Sequence, residues 1–302
     1  MWFLFAILTW LAWGAANLFY KKGSDSNDKN SHTKITIMVG LVMGIHATIY
    51  MFVKGLEFHP QDMLTYLPVS ALYIISMIFG YIGLRYLELS IAAPVQNASG
   101  AVTTLLLYMF FPQEVTWVHF GGIIAIIVGV FWIAVIEKQQ DDALLRAQNV
   151  KIDRKYQFGF IALLFPILYA LIDGVGTFAD GIYLDEMKIM GEDAALLAYE
   201  YTFFIVAVVC YIYLRFYKKV KFNVFKERDR TYAAVLETIG QFFYVYAISS
   251  YAFISAPIIS SYCIFSIILS RIFLKEKLSK KQYLVIAIIM IGIVILGLAD
   301  EL

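Results

Sequence analysis

The chain of 302 residues is 61% hydrophobic and only 16% charged, with a formal net charge of +1. Soluble domains are about 45–50% apolar and about 25% charged, so this balance excludes a water-soluble globular domain and gives no basic surface for nucleic acid. The protein reads as a membrane protein.

Its apolar residues fall in ten blocks, approximately 2–20, 35–54, 64–86, 91–111, 116–136, 158–181, 194–216, 230–248, 251–273 and 280–298. Each is long enough to cross a hydrocarbon core of about 30 Å as a helix. None alternates as a barrel strand would. The first block ends in "LAWGAANLFYKKG" and lacks the basic start and cleavage site of a signal peptide, so it is predicted to be a span, with Trp10, Trp13 and Asn17 on one face. His46 in the second block reads as a packing or interface residue. Arg85 and Glu88 flank a short turn after the third and read as a helix-end pair. In the fourth block Pro94, Asn97, Ala101, Thr104 and Tyr108 recur at helical spacing, a small and polar stripe suited to a cavity wall. The glycosylation sequon at 97–99 lies inside this span, out of reach of that modification.

The sixth block contains "IDGVGTFADG", in which Pro166, Tyr169, Asp173, Thr177 and Asp180 share a stripe. Asp173 is expected about 22 Å along the helix, facing a central cavity, and Asp180 at its outer mouth. Alternatively, Asp173 serves only to bond a neighbouring helix. Glu200 enters the next span by about 9 Å and would pair with Asp173 if the two helices adjoin. Glu237, Gln241 and Tyr244 share a face of the eighth span, and Tyr262 lies in the ninth. For Glu200 and Glu237 a structural role, fixing helix packing, stands beside the functional one. Cys210 and Cys263 stand alone inside spans and read as packed thiols.

Of the 24 Lys and Arg residues, all but Lys54 and Lys188 fall in alternate loops. The positive-inside rule makes those loops cytoplasmic and puts both termini outside. The chain also repeats. "SIAAP" at 90–94 matches "FISAP" at 253–257, and at the same offset of 163 residues "IIVGV" meets "IMIGI", pairing Gly129 with Gly292. Allowing a gap, Glu114 aligns with Glu276, and "WGAAN" aligned with "YALID" sets Asn17 opposite Asp173. The fold class expected is an all-α membrane protein of ten transmembrane helices as two inverted five-helix repeats, residues 1–136 and 158–302, joined by a cytoplasmic linker at 137–157.

Five plus five helices, the Ala-Pro steps, "LAWGAANLFYKKG" and the closing "FLKEKLSKKQYLVIAIIMIGIVILG" together resemble the drug/metabolite transporter superfamily, EamA-type. The resemblance covers nearly the whole chain. It implies secondary transport of small metabolites by alternating access without a prosthetic group, and it matches a family pattern of Glu followed by a base at Glu276-Lys277; "PQEVT" keeps the acid but not the base.

The reading that follows is a transporter of a small amine or amino acid. Its substrate-binding candidates are Asp173, Glu200, Glu237, Asn17, Trp13, Tyr169, Asn97, Gln241, Tyr244 and Tyr262, with Asp173, Glu200 and Glu237 as proton-coupling groups. Several of the 21 tyrosines lie near these acids, among them Tyr199, Tyr201 and Tyr246, and aromatic faces around a carboxylate favour an ammonium group. The outer loop 181–193 adds Asp185, Glu186, Glu192 and Asp193 against Lys188, which would draw cations to that mouth. The alternative is an exporter of neutral or anionic metabolites with structural acids; the lack of Lys or Arg in the cores of the predicted spans weighs against anions. An intramembrane enzyme is a third class, but no nucleophile with a base and no metal-spaced ligands occur, and no cofactor or metal is expected. The expected surroundings are the lipid of a cell membrane and a small-molecule substrate.

Overall fold

A computed structural model describes residues 2–25, 27–111, 117–148 and 159–299. In chain order the helices are α1 (Trp2–Gly23), α2 (Ser31–Lys54), α3 (Pro60–Thr65), α4 (Leu67–Gly83), α5 (Leu89–Gln96), α6 (Ser99–Phe110) and α7 (Trp117–Gln148). They continue as α8 (Gly159–Ala162), α9 (Leu164–Gly181), α10 (Glu192–Ile212), α11 (Arg228–Ser260), α12 (Cys263–Leu269) and α13 (Lys280–Ala299). No strand occurs among the described residues. Counting the widened last turns of α9 and α10, Trp2–Gly23, Ser31–Lys54, Leu164–Glu186 and Glu192–Tyr217 are long and apolar enough to cross a membrane. The outward face of the last carries exposed Ile205, Val208, Val209 and Ile212, a surface suited to lipid rather than water.

Several blocks expected as single helices are interrupted, and proline accounts for much of this. Pro60 and Pro68 sit at the first helical positions of α3 and α4, where a missing N–H costs nothing, so 64–86 becomes two pieces. Pro94 lies inside α5, which stops at Gln96; the chain restarts as α6 at Ser99, splitting 91–111. Pro166 follows the break at Leu163 between α8 and α9. The segment read as a linker from residue 137 is helical as far as Gln148. Glu114 and residues 149–157 of that segment lie outside the described residues.

Helix α11 joins the eighth and ninth blocks but is not straight. The Ser255 hydroxyl donates to the Ala247 carbonyl at 3.0 Å. Eight residues of straight helix would separate those levels by about 12 Å. Helix α1 gives the same result from outside. Thr9, Trp13 and Gly23 meet Gly240, Glu237 and Arg230 in antiparallel order, whereas Trp10, Asn17 and Lys22 meet Ser261, Ser266 and Phe273 in parallel order. The chain therefore folds back between residues 247 and 255.

The helix pairs are α1 on α11, α4 on α9, α2 on α10 and α7 on α13. The last is reciprocal: a Cβ on Gly129 would overlap Ile289, and a Cβ on Gly292 would lie 2.8 Å from Ile126. At the 163-residue offset these are the same contact made twice. Asn97 likewise donates to the Ser260 carbonyl at 2.6 Å, and these two residues are also 163 apart. Equivalent residues that touch each other are the mark of a two-fold relation.

Basic side chains gather at one end of the bundle. Lys21 donates to the carbonyls of Leu84 and Leu87 at 2.8 and 2.6 Å, Arg230 to Gly23 at 3.0 Å, and Arg85 to Lys29 at 3.3 Å. In the loop before α2, partial burial pushes the Asp28 carboxyl up, but Lys34, the Asn30 N–H and Arg230 outweigh it and hold it below its ordinary range. Glu276 accepts from the Leu89 and Ser90 N–H groups at 2.8 and 2.9 Å and from the Ser90 hydroxyl, capping α5.

Glycine at 292 is required by packing, since an added Cβ would also lie 2.8 Å from the Gly122 carbonyl, whereas Gly121 has open space. Gly292→Ala is expected to cost about 1–3 kcal/mol and lower the melting midpoint in detergent. Gly121→Ala should not lower it, and equal losses in both variants would contradict the α7–α13 packing.

Candidate functional site

Between the helix pairs lies a cavity whose walls come from α1, α4, α5, α6, α9, α10 and α11 together with Tyr262. The space between them, counting the part open to solvent, is about 800 Å³. Helical spacing explains which side chains reach it. Tyr169, Asp173 and Thr177 are successive turns of α9; Glu237, Gln241 and Tyr244 do the same on α11; and Trp13, Asn17 and Tyr20 on α1. Glycines bring these walls close, because a Cβ at Gly240 would overlap the Trp13 ring and one at Gly80 would lie 2.8 Å from Tyr169.

Two carboxyl groups face this space. Ser76 donates to Asp173 at 3.2 Å, with Ser99 and Tyr169 also bonded to it. Glu237 accepts from the Tyr20 hydroxyl at 3.2 Å, and Tyr81 donates to Tyr20 at 3.2 Å. Trp13 lies between the α11 backbone and two rings: its indole N–H reaches the Glu237 carbonyl at 3.3 Å, and its ring centroid is 5.0 Å from Tyr244 and 5.9 Å from Tyr262. Asn17 is turned to the wall, where its amide donates to Ser266 at 3.1 Å. No Lys, Arg or His lines the cavity. No cluster of three or more metal-ligating side chains occurs among the described residues.

At the end of the cavity away from the basic residues, hydroxyls surround a third acid. Asp180, expected at an interface, is fully buried and accepts from Tyr66 and, at 3.4 Å, from Tyr73. Tyr73 also bonds Thr177 at 3.1 Å and Tyr244 at 2.5 Å. Phenols replace water around this carboxyl because α4 lies along α9.

Not every candidate converges here. Glu200 is fully buried but lies outside the cavity lining, since α10 packs its face on α2; both of its oxygens lie within 2.9 Å of His46 Nδ1. The expected approach to Asp173 is thus replaced by a carboxyl–imidazole pair, which gives His46 a partner the sequence did not reveal. Asn97 faces Ser260 rather than the cavity, because the break after Pro94 resets the helix face, and its neighbours Gln96 and Ser99 line the space instead. Sequence reasoning also missed Tyr66, Tyr73 and Tyr81. A signal was present: Tyr66, Tyr73 and Gly80 recur every seventh residue, one stripe of a helix.

A lipid-exposed helical bundle enclosing a polar cavity defines a membrane protein that handles a solute. The chain belongs to the EamA-like transporter family, whose model matches residues 1–135 and 160–298. It is accordingly a multi-pass membrane transporter of the drug/metabolite type. A crystal structure shares the fold, with a TM-score of 0.63 over 99% of this chain and 96% of that one at 13% identity. A protein of Methanocaldococcus jannaschii, described as uncharacterised, is 32% identical over 143 residues, which are 46% of this chain and 98% of that protein.

If the phenol network around Asp180 is the seal, loosening it opens the cavity. Thr177→Cys, on a background with Cys210 and Cys263 replaced by Ser, is expected to resist an impermeant thiol reagent, and adding Tyr66→Phe is expected to raise its labelling several-fold. Equal labelling rates would mean that the seal lies elsewhere.

Proposed function

We propose that this chain is a secondary active transporter of a small organic cation or zwitterion, an amine or amino acid, working by alternating access with proton coupling. The single observation that carries the reading is the cavity itself: two carboxyls, Asp173 and Glu237, among aromatic rings and with no basic side chain in the lining. An ionised carboxylate inside a membrane bundle is costly unless a proton or a cation balances it. Aromatic faces such as Trp13, Tyr169 and Tyr262 attract an ammonium group more strongly once it has left water. An anionic substrate would find no cationic partner in this lining.

The architecture in this reading is ten transmembrane helices in two inverted repeats, residues 1–136 and 158–302, with both termini outside the cell membrane. Support comes from the reciprocal contacts at the 163-residue offset, from the fold-back in α11 and from a family model that matches the chain twice. The M. jannaschii relative, about half the length of this chain, fits a unit of one repeat. Rocking of one repeat against the other would expose the cavity to each side in turn. Asp173 and Glu237 bind the charged group and exchange it for protons, Gln241 and Tyr244 line the path, and Glu200 acts as a proton site with His46.

Thermal unfolding against a solute panel tests this reading. A ligand at 100 times its dissociation constant adds about 2.7 kcal/mol to the native state. Amines are expected to raise the melting midpoint of wild type, and Asp173→Asn is expected to lose most of that shift while still folding. Stabilisation by neutral or anionic solutes alone, unchanged in the variant, would overturn the reading and make the acids packing elements.

A further inference from the structure

The two cavity acids stand at different levels, and α4 supplies a ruler for the distance. Tyr81 belongs to the Glu237 network through Tyr20, while Ser76 donates to Asp173. Five residues of one helix separate Tyr81 from Ser76, about 7.5 Å along its axis. The two carboxyl networks therefore attach to α4 at different levels along the cavity. Between them are shared walls: the phenols of Tyr169, Tyr199 and Tyr262 are within electrostatic reach of both.

Charge balance narrows the ligand. A zwitterion's own carboxylate would meet no basic partner in this lining. A single ammonium balances one acid and leaves the other to a proton. The groups facing the pair supply no positive charge either: Tyr20 from α1, Tyr81 from α4, Tyr169 from α9, Tyr199 from α10, and Tyr262.

We propose that the ligand of this cavity is a short α,ω-diamine in its doubly charged form, with one ammonium on Asp173, the other on Glu237, and the methylene chain against the rings between them. This rests on the cation reading above and sharpens it. Bonds of about 1.5 Å put the nitrogens of a chain of three to five methylenes roughly 5–8 Å apart, the same order as the spacing of the two levels on α4. A much longer chain would have to fold back, and a monoamine reaches one acid only. No covalent bond to carbon changes on loading. Each O–H bond of the two carboxylic acids breaks, the two protons leave to solvent, and each carboxylate is then balanced by an ammonium group.

Calorimetric titration of the full chain in detergent, repeated in buffers of different ionisation enthalpy, reads affinity and protons released together. The probes are butylamine, diaminobutane, diaminooctane and aminobutanoate. Diaminobutane is expected to bind at least tenfold tighter than butylamine, diaminooctane and aminobutanoate, and to release about two protons where butylamine releases about one. Glu237→Gln and Asp173→Asn should each bring diaminobutane down to the affinity and proton count of the monoamine. Equal affinity and equal proton counts for butylamine and diaminobutane would overturn the two-headed ligand and leave the cation reading standing. Failure of every amine to bind, with neutral or anionic solutes stabilising the protein, would overturn both. The wild-type chain-length series decides the matter even where a variant does not fold.

Discussion

Charge neutrality of two carboxyls held inside a membrane-spanning bundle is the constraint on which the rest of the structure turns. Asp173 and Glu237 have hydroxyl and phenol partners but no base in the cavity. Hydrogen bonds from neutral donors lower the cost of such groups without cancelling their charge. At the membrane surface the chain gives acids cationic partners, Lys34 at 2.7 Å for Asp28 and Arg230 for Glu227. The two cavity acids have none in the lining.

The packing that builds the cavity carries reciprocal contacts at the 163-residue offset. Close contacts at Gly129 and Gly292 lock α7 against α13, while Gly40 and Gly44 bring α2 against Phe203 and Phe204 of α10. The first pair lies apart from the cavity lining, and the second reaches it through Tyr199 of α10. The cavity falls between the two remaining pairs, α1 with α11 and α4 with α9, and each presents a tyrosine at the same offset. Tyr81 closes on Tyr20 near Glu237, and Tyr244 closes on Tyr73 near Asp180. One carboxyl–phenol network thus stands towards each end of the space. The Glu276 clamp on the start of α5 and the Lys21 contacts with the preceding turn brace the basic end.

The order of helices and their polar stripes was legible in the sequence because apolar length and helical period are local properties. Tyr169, Asp173 and Thr177 reach one cavity wall for that reason, as do Glu237, Gln241 and Tyr244. Neighbour relations were not legible, because a periodic face says nothing about which helix it will meet. Glu200 was read towards Asp173, yet the glycines of α2 draw α10 to His46. Asn97 was read into the cavity, yet the break after Pro94 turned Gln96 and Ser99 there instead. Asp180 was read at the outer mouth because depth was counted along α9 alone, without the tyrosines at 66 and 73 that bury it. The repeat was visible in Pro94 and Pro257, whereas the touching of Asn97 and Ser260 required the folded chain.

Exchange of protons for an organic cation at the cavity acids would couple amine movement to a pH gradient. Uptake of a labelled amine into proteoliposomes, with the membrane potential clamped at zero and only a pH gradient imposed, reads that coupling. Accumulation on the acidic side that follows the gradient and is abolished in Glu237→Gln is expected. Flux indifferent to the gradient, in wild type and variant alike, would contradict it.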